Sequence, residues 1–558
     1  MSTTPYRWRW LAFAVILTGT VMDLLDGTVV NVAAPNIRTS LGGSYSALQW
    51  ISAGYTLAMA VMLITGGRLG DLLGRKRMFL VGAAGFTLAS IACALSANSE
   101  MLIAGRVLQG ALGAVMVPQG LGMIREMFPP KEMAAAFGLF GPVIGIATLL
   151  GPIVAGGLID ADLFGTGWRM IFLINAPLGL AAVYLGIKYL PNTGGTHSAR
   201  LDVTGMVLVT AASLMLIYPL IQGRELGWPA WTFALIAGSV LLFAGFIWHS
   251  SRRGLGALVP ISLLRKRQFV GGIFVALVFF GSVVGFMLTF GVFVQVGLGY
   301  SPLRASLTMT PMALGSAMGA GLGGAVLGPK FGRHTLHAGL AIMAVGVIGL
   351  ALTLQRYGTG IHSLDFAPAA TIAGIGMGLV FAPVYDIILA SVDDHEIGSA
   401  SGVLSAMQQL GSALGVAIIG TVFFGLLGSH AGGAAGTVAP GLRTQLSAAG
   451  IPAGAQAQIV AGFRTCLHDR ETQKDPSATP RSCQTQPGLP ALPQQAQRAL
   501  ATAGVQAHRR SAVASAQTTS LVSAGALGLT FLLAFLLPRA ARPQEAYEPE
   551  PETVTVSV

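Results

Sequence analysis

Asp23 and Asp26 stand one helical turn apart inside the first long apolar segment of this chain. A carboxylate at membrane depth costs about 2.5–3.5 kcal/mol on the insertion scale, so it demands a partner, a proton or a wet cavity. Like charges this close in a low dielectric resist ionising together, and one of them can then hold a proton. Reversible proton uptake is the chemistry the pair offers. Arg106, in the fourth apolar segment, is the matching cation. A lone arginine there should face the protein interior and bind an acid or backbone carbonyls. Asp26 lies nine residues before Pro35 and Arg106 seven beyond Ser99. At about 1.5 Å per residue both fall roughly 10–13 Å below the same surface. A direct pair and an arginine spent on carbonyls both fit these depths.

Other polar groups are scattered more thinly. Asp386, in the twelfth segment, lies toward the opposite surface and is a candidate inner-gate or structural acid. Asn31, Gln119, Gln295, Gln408 and Gln409 could offer neutral hydrogen bonds to a substrate, or equally tie helices together. The run Asp393-Asp394-His395-Glu396 lacks a second His or Cys cluster, so no metal site is expected. No nucleophile–base pair lies within the apolar segments, which argues against an enzyme. Cys466 and Cys483 are candidates for a disulfide; Cys93 reads as a small buried hydrophobe.

The elements that must position these groups are transmembrane helices. The chain has 558 residues, 53% hydrophobic and 10% charged, against about 25% charged in soluble domains. Windows of about 20 apolar residues give roughly fourteen spans. The formal charge of +11 could suggest nucleic acid, but the basic residues sit mostly in short loops between spans. Clusters such as Arg75-Lys76-Arg77, Arg252-Arg253 and Arg265-Lys266-Arg267 fall on one side, whereas the opposite short loops hold Arg38, Arg169, Arg224, Arg304 and Arg356. The first side is therefore expected to be cytoplasmic, with both termini there. No nucleic-acid partner is needed.

The spans divide into a six-helix bundle over 1–190, two linker helices within 191–268, and five further helices over 269–427. A long extracytoplasmic loop over 428–515, a last span over 516–538 and a disordered acidic tail over 539–558 complete the plan.

Several motifs add a resemblance. Gly67-Arg68-Leu69-Gly70-Asp71-Leu72-Leu73-Gly74-Arg75-Lys76-Arg77 resembles the signature loop between helices 2 and 3 of the major facilitator superfamily. Leu25-Asp26-Gly27-Thr28 through Pro35 resembles the first-helix motif of its fourteen-spanner drug:proton antiporters. Arg106-Val107-Leu108-Gln109-Gly110 resembles the fourth-helix motif, and Phe172-Leu173-Ile174-Asn175-Ala176-Pro177 the start of helix 6. Gly145, Gly151, Pro152, Gly156 and Gly157 resemble the antiporter motif of helix 5, with Ala155 where that family usually has glycine. Independently of these, Gly332-Arg333 follows the tenth span as Gly74-Arg75 follows the second, a faint echo of two related halves.

The resemblance implies an all-helical major facilitator fold, two six-helix bundles with two helices inserted between them. It implies proton-coupled export of amphipathic drugs by alternating access. Asp26, with Asp23 and Arg106, would couple the proton. Gly67, Asp71, Gly74 and Arg75 would latch the cytoplasmic side, with Arg125 a candidate partner of Asp71. A dedicated exporter of one metabolite, antibiotic or lipid is the alternative, and a receptor using the 428–515 loop a weaker one. The expected partners are small amphipathic substrates and the bilayer, with the proton as coupling ion, no other cofactor, a monomeric chain and a bacterial plasma-membrane location.

Overall fold

The computed structural model describes residues 6–192, 202–253, 257–381, 383–393, 396–472, 479–484 and 492–539. Among them there is helix and no strand. In hydrocarbon every backbone polar group must be satisfied within its own segment, which selects helices for a chain this apolar. Among the described residues thirteen helices are long and apolar enough to cross a bilayer.

The first half comprises α1 (Arg9–Leu41), α2 (Tyr45–Leu73), α3 (Arg75–Ala94), α4 (Ser99–Met127), α5 (Pro130–Ala161) and α6 (Met170–Leu173 continuing as Asn175–Tyr189). Two linker helices follow, α7 (Val203–Leu226) and α8 (Ala230–Arg253). The second half comprises α9 (Arg267–Val292), α10 (Pro302–Leu322), α11 (Arg333–Tyr357), α12 (Ala367–Phe381 and Val384–Leu389), α13 (Ile397–Ala448) and α14 (Gln494–Leu533). With α5, whose apolar stretch Leu150–Ala161 is short, the spans number fourteen.

The faint duplication in the sequence is explicit in the packing. In the first half α4 lies against α2 and α3, α1 against α5, and α6 against α1 and α3. In the second half α12 lies against α10 and α11, α9 against α13, and α14 against α9 and α11. The same pairing pattern recurs six helices of the repeat later. The halves then meet reciprocally, α5 on α10 and α2 on α13, with α7 seated against both members of the second seam. Gly74 and Gly332 hold equivalent places between α2–α3 and α10–α11, both at positive φ (94° and 50°) where a side chain would be strained.

Glycines set the closest approaches. A Cβ on Gly66 would sit 2.1 Å from the Ala114 carbonyl oxygen, and one on Gly110 2.3 Å from that of Tyr55, so α2 and α4 touch backbone to backbone. This contact brings the Arg106 segment against α2.

The hydrogen bonds joining the halves cluster at the end where α1 finishes and α2 begins. Gln295 Nε2 donates to the Val32 carbonyl (3.0 Å), Gln49 Nε2 to that of Val416 (2.8 Å), and Ser306 Oγ to that of Pro152 (2.7 Å). Tyr45 stacks on Phe424 at 4.2 Å, sealing the same end. At the opposite end the segment before α9 ties into both halves. Arg68 donates to the Ala257 carbonyl and Asp202 accepts from the Leu258 amide (2.8 Å), while Lys266 pairs with Asp393 (2.7 Å) and Glu396 (3.1 Å).

The 428–515 segment departs from the expected loop. α13 runs 52 residues, about 78 Å, more than twice the hydrocarbon thickness of about 30 Å. α14 begins at Gln494 rather than near 516. Both therefore project beyond the bilayer, where they pack with a further helix, Ala453–Thr472. Leu442, Leu446, Val460, Leu467 and Ala503 form the small core of this module. The Ala- and Gln-rich composition that reads as loop has high helix propensity, and sparse apolar residues suffice once three helices share them. Cys466 and Cys483 are joined by a disulfide that fastens the chain after this helix, Cα to Cα 4.7 Å. The tail beyond Arg539 lies outside the described residues.

Candidate functional site

Asp26 is fully buried on α1, 0% exposed, and its carboxylate is the centre of a polar cluster drawn from five helices. Oδ2 accepts from Arg106 Nη1 on α4, in a pair whose side chains are 0% and 1% exposed. Oδ1 accepts from Gln109 Nε2 (2.8 Å) on α4 and from Asn175 Nδ2 (3.2 Å) on α6. Gln109 faces the same way as Arg106 because it follows by three residues, one turn of helix. Its Oε1 accepts from Arg106 Nη1 at 2.6 Å. Ser90 on α3 closes the cluster, its Oγ accepting from Gln109 (2.7 Å) and Asn175 (3.4 Å).

Arg106 is held from three sides. Nε donates to the Ile51 carbonyl (3.2 Å) on α2, and the guanidinium lies 4.1 Å from the Tyr55 ring centroid. Both sequence readings of Arg106 thus describe part of its environment: it binds an acid and a carbonyl together. Tyr55 also donates its hydroxyl to Asp23 Oδ1. Asp23 keeps partial exposure where Asp26 keeps none, so the two acids occupy different environments despite their spacing. Gln109, Ser90, Asn175 and Tyr55 were not assigned roles from sequence. Gln109 and Asn175 lie within quoted motifs, which was a signal; Ser90 and Tyr55 carried none.

The remaining candidates fall elsewhere. Gln119 Nε2 is spent on the carbonyls of Gly66 (2.8 Å) and Val115 (2.9 Å), and Gln295 on Val32 and Gly291. Both are buried and tie helices together here, because a buried amide satisfies its N–H groups on the carbonyls within reach. Asn31 accepts from Ser52 (3.4 Å), Gln408 from Tyr385, and Gln409 reaches Met59 Sδ (3.0 Å) across the α2–α13 seam; all three keep partial exposure. Asp386 is exposed, in the first turn of the second part of α12, rather than buried.

In the helix 2–3 loop Arg75 pairs with Asp71 (3.0 Å) one turn earlier and with Glu126 (3.5 Å) at the end of α4. Arg125 and Gly145 lie outside the residues whose side chains are described. Gly122 makes room for Arg75: a Cβ there would overlap its guanidinium. Gly67 packs beside Pro118. On α5, Gly151 packs on Thr28 and Leu25 of α1, and Gly156 on the Pro302 carbonyl of α10, whereas Gly157 meets nothing within 4 Å. The glycines of α5 thus let one helix touch both the Asp26 helix and the opposite half.

The Major Facilitator Superfamily model matches residues 16–416. The chain belongs to this superfamily. It is 50% identical over 547 residues to a protein named "Probable actinorhodin transporter" of Streptomyces coelicolor, covering 97% of this chain and 94% of that one. It is 34% identical to a tetracenomycin C resistance and export protein of Streptomyces glaucescens, over 75% of this chain and 77% of that one. A puromycin resistance protein of Streptomyces alboniger is also 34% identical, over 76% and 83%. Among solved structures, a bacterial homologue of the human lysosomal transporter Spinster, described as inward-facing and unoccupied, aligns with TM-score 0.53 at 18% identity over 96% of this chain and 98% of that one. At that identity the likeness concerns the fold. The superfamily assignment and the helices together make this a multi-pass membrane protein.

Proposed function

We propose that this major facilitator protein exports amphipathic compounds in exchange for protons, by alternating access. The observation that carries the reading is the Asp26–Arg106 pair, a buried carboxylate and a buried guanidinium on different helices. Protonating Asp26 cancels one charge and leaves Arg106 buried without its counter-ion, a state that costs several kcal/mol unless the helices rearrange. α1 carries Asp26, packs on α5 through Gly151, and through its Val32 carbonyl accepts from Gln295, just beyond α9. A shift of α1 thus bears directly on one of the contacts that close the outer end, and proton binding and gate movement become one event.

Antibiotic export and resistance among the relatives named above support amphipathic substrates. The 50% identity over nearly the whole chain, outer module included, favours a second reading, a dedicated exporter of one endogenous metabolite, antibiotic or lipid. In either case the proton is the coupling ion and no other cofactor takes part. The chain works as a monomer in the plasma membrane with both termini cytoplasmic, as the basic loops support. Asp71, Arg75 and Glu126 would brace the cytoplasmic end of the first half during the cycle.

The test is uptake of a panel of amphipathic antibiotics into inverted vesicles. Uptake that rises with an acid interior and collapses with a protonophore is the expected result. Uptake indifferent to the gradient would end the antiporter reading.

A further inference from the structure

Asn175 carries an unmet acceptor. Its side chain is fully buried, and among the described residues its Oδ1 has no hydrogen-bond donor, while Nδ2 donates to Asp26 Oδ1 and reaches Ser90 Oγ. A buried acceptor without a donor bears its desolvation cost uncompensated. A primary amide presents an acceptor and two donors on opposite sides of one bond, so a half-turn exchanges what it offers.

The cluster around Asp26 suits its ionised form. Arg106, Gln109 and Asn175 all donate to it. The titratable and charged groups near it are Asp23 on its own helix, Tyr55 from α2, Cys93 from α3 and Arg106 from α4; α6 contributes Asn175. Once a proton sits on Oδ1, the new O–H points at the Nδ2 hydrogens, donor against donor. Gln109 cannot turn to receive it without surrendering Oε1, which accepts from Arg106.

We infer that Asn175 is a positioning residue that rotates its amide by a half-turn when Asp26 is protonated, offering Oδ1 to the Asp26 hydroxyl. The inference rests on Asp26 being the coupling carboxyl. In the rotated state Oδ1 accepts from Asp26, and the Ser90 hydroxyl, until then an acceptor from both amides, turns its hydrogen toward the same oxygen. Nδ2 takes over the place without a partner. One unmet group remains in each state, and the donor–donor clash is removed. α6 therefore reads the proton at its first turn, where Asn175 opens its longer part after the break at Ile174.

The experiment is infrared difference spectroscopy, acid minus neutral, on the full chain in nanodiscs with carbonyl-labelled asparagine. The expected result is a carboxylic acid C=O band that Asp26→Asn removes. With it, an asparagine C=O moves from a free to a lower, hydrogen-bonded frequency. Asn175→Ser abolishes the asparagine signal and leaves the acid band, which separates Asn175 from Asn31, Asn36, Asn98 and Asn192. An Asp26 acid band with the asparagine carbonyl unmoved overturns the inference and spares the coupling assignment. If no acid band depends on Asp26, the coupling assignment fails and takes the inference with it.

Discussion

Arg106 on α4 and Asp26 on α1 form an ion pair that water does not reach, at 1% and 0% side-chain exposure. Pairs of this kind are weak sources of net stability, because desolvation offsets attraction, but losing one partner strands the other. Arg106→Ala is therefore expected to lower stability by about 3–5 kcal/mol, and adding Asp26→Asn should restore part of it. Thermal unfolding in detergent gives the double-mutant cycle. Additive effects would mean that the two groups do not act as a pair.

Gly156 lies where α5 meets α10, and a Cβ there would come 2.7 Å from the Pro302 carbonyl oxygen. Gly156→Val should prop this seam open, since the obstacle is backbone rather than a side chain that can turn away. A cysteine placed at Ser306 should then label faster from outside in the valine variant than in the parent. Equal labelling rates would show that the seam tolerates the added bulk.

Asp202 caps the first linker helix through the Gly205 amide (3.0 Å) and binds His249 (2.8 Å) and the Leu258 amide. Burial opposes its ionisation, but the His249 hydrogen bond and the two amides outweigh it and hold the carboxyl below its ordinary value. A depressed value adds stability that is complete above the unfolded value, about 3.9, and is lost as pH falls through the folded one. The stability gap between the parent and Asp202→Asn should thus persist above about pH 5 and shrink below about pH 4. A gap that stays undiminished as pH falls from about 5 to about 2 would contradict this assignment.

Spans were legible in the sequence because hydrocarbon forces long apolar runs, and the shared depth of Asp26 and Arg106 was legible because both groups are costly there, while the choice between an acid and carbonyls for Arg106 stayed open. Neutral members of the cluster were not. Ser90 and Tyr55 are ordinary residues in membrane helices, and only the approach of α2 and α3 to α4 brings them to Asp26 and Arg106. For Gln119 and Gln295 substrate contact and helix tying were equal readings in one dimension, and three-dimensional packing sets backbone carbonyls in front of their amides. The module beyond the bilayer was hidden for a related reason: its sparse apolar residues form a core only after Ala453–Thr472 folds back against the two long helices.

The most direct measurement is the exchange of protons for substrate in proteoliposomes, comparing the parent chain with Asp26→Asn. The substrate is whichever antibiotic of the panel the parent carries. The parent should drive that compound against its gradient when an opposing pH gradient is imposed. Asp26→Asn should still move it down its own gradient while ignoring pH. Proton-driven accumulation by Asp26→Asn, undiminished from the parent, would contradict the account.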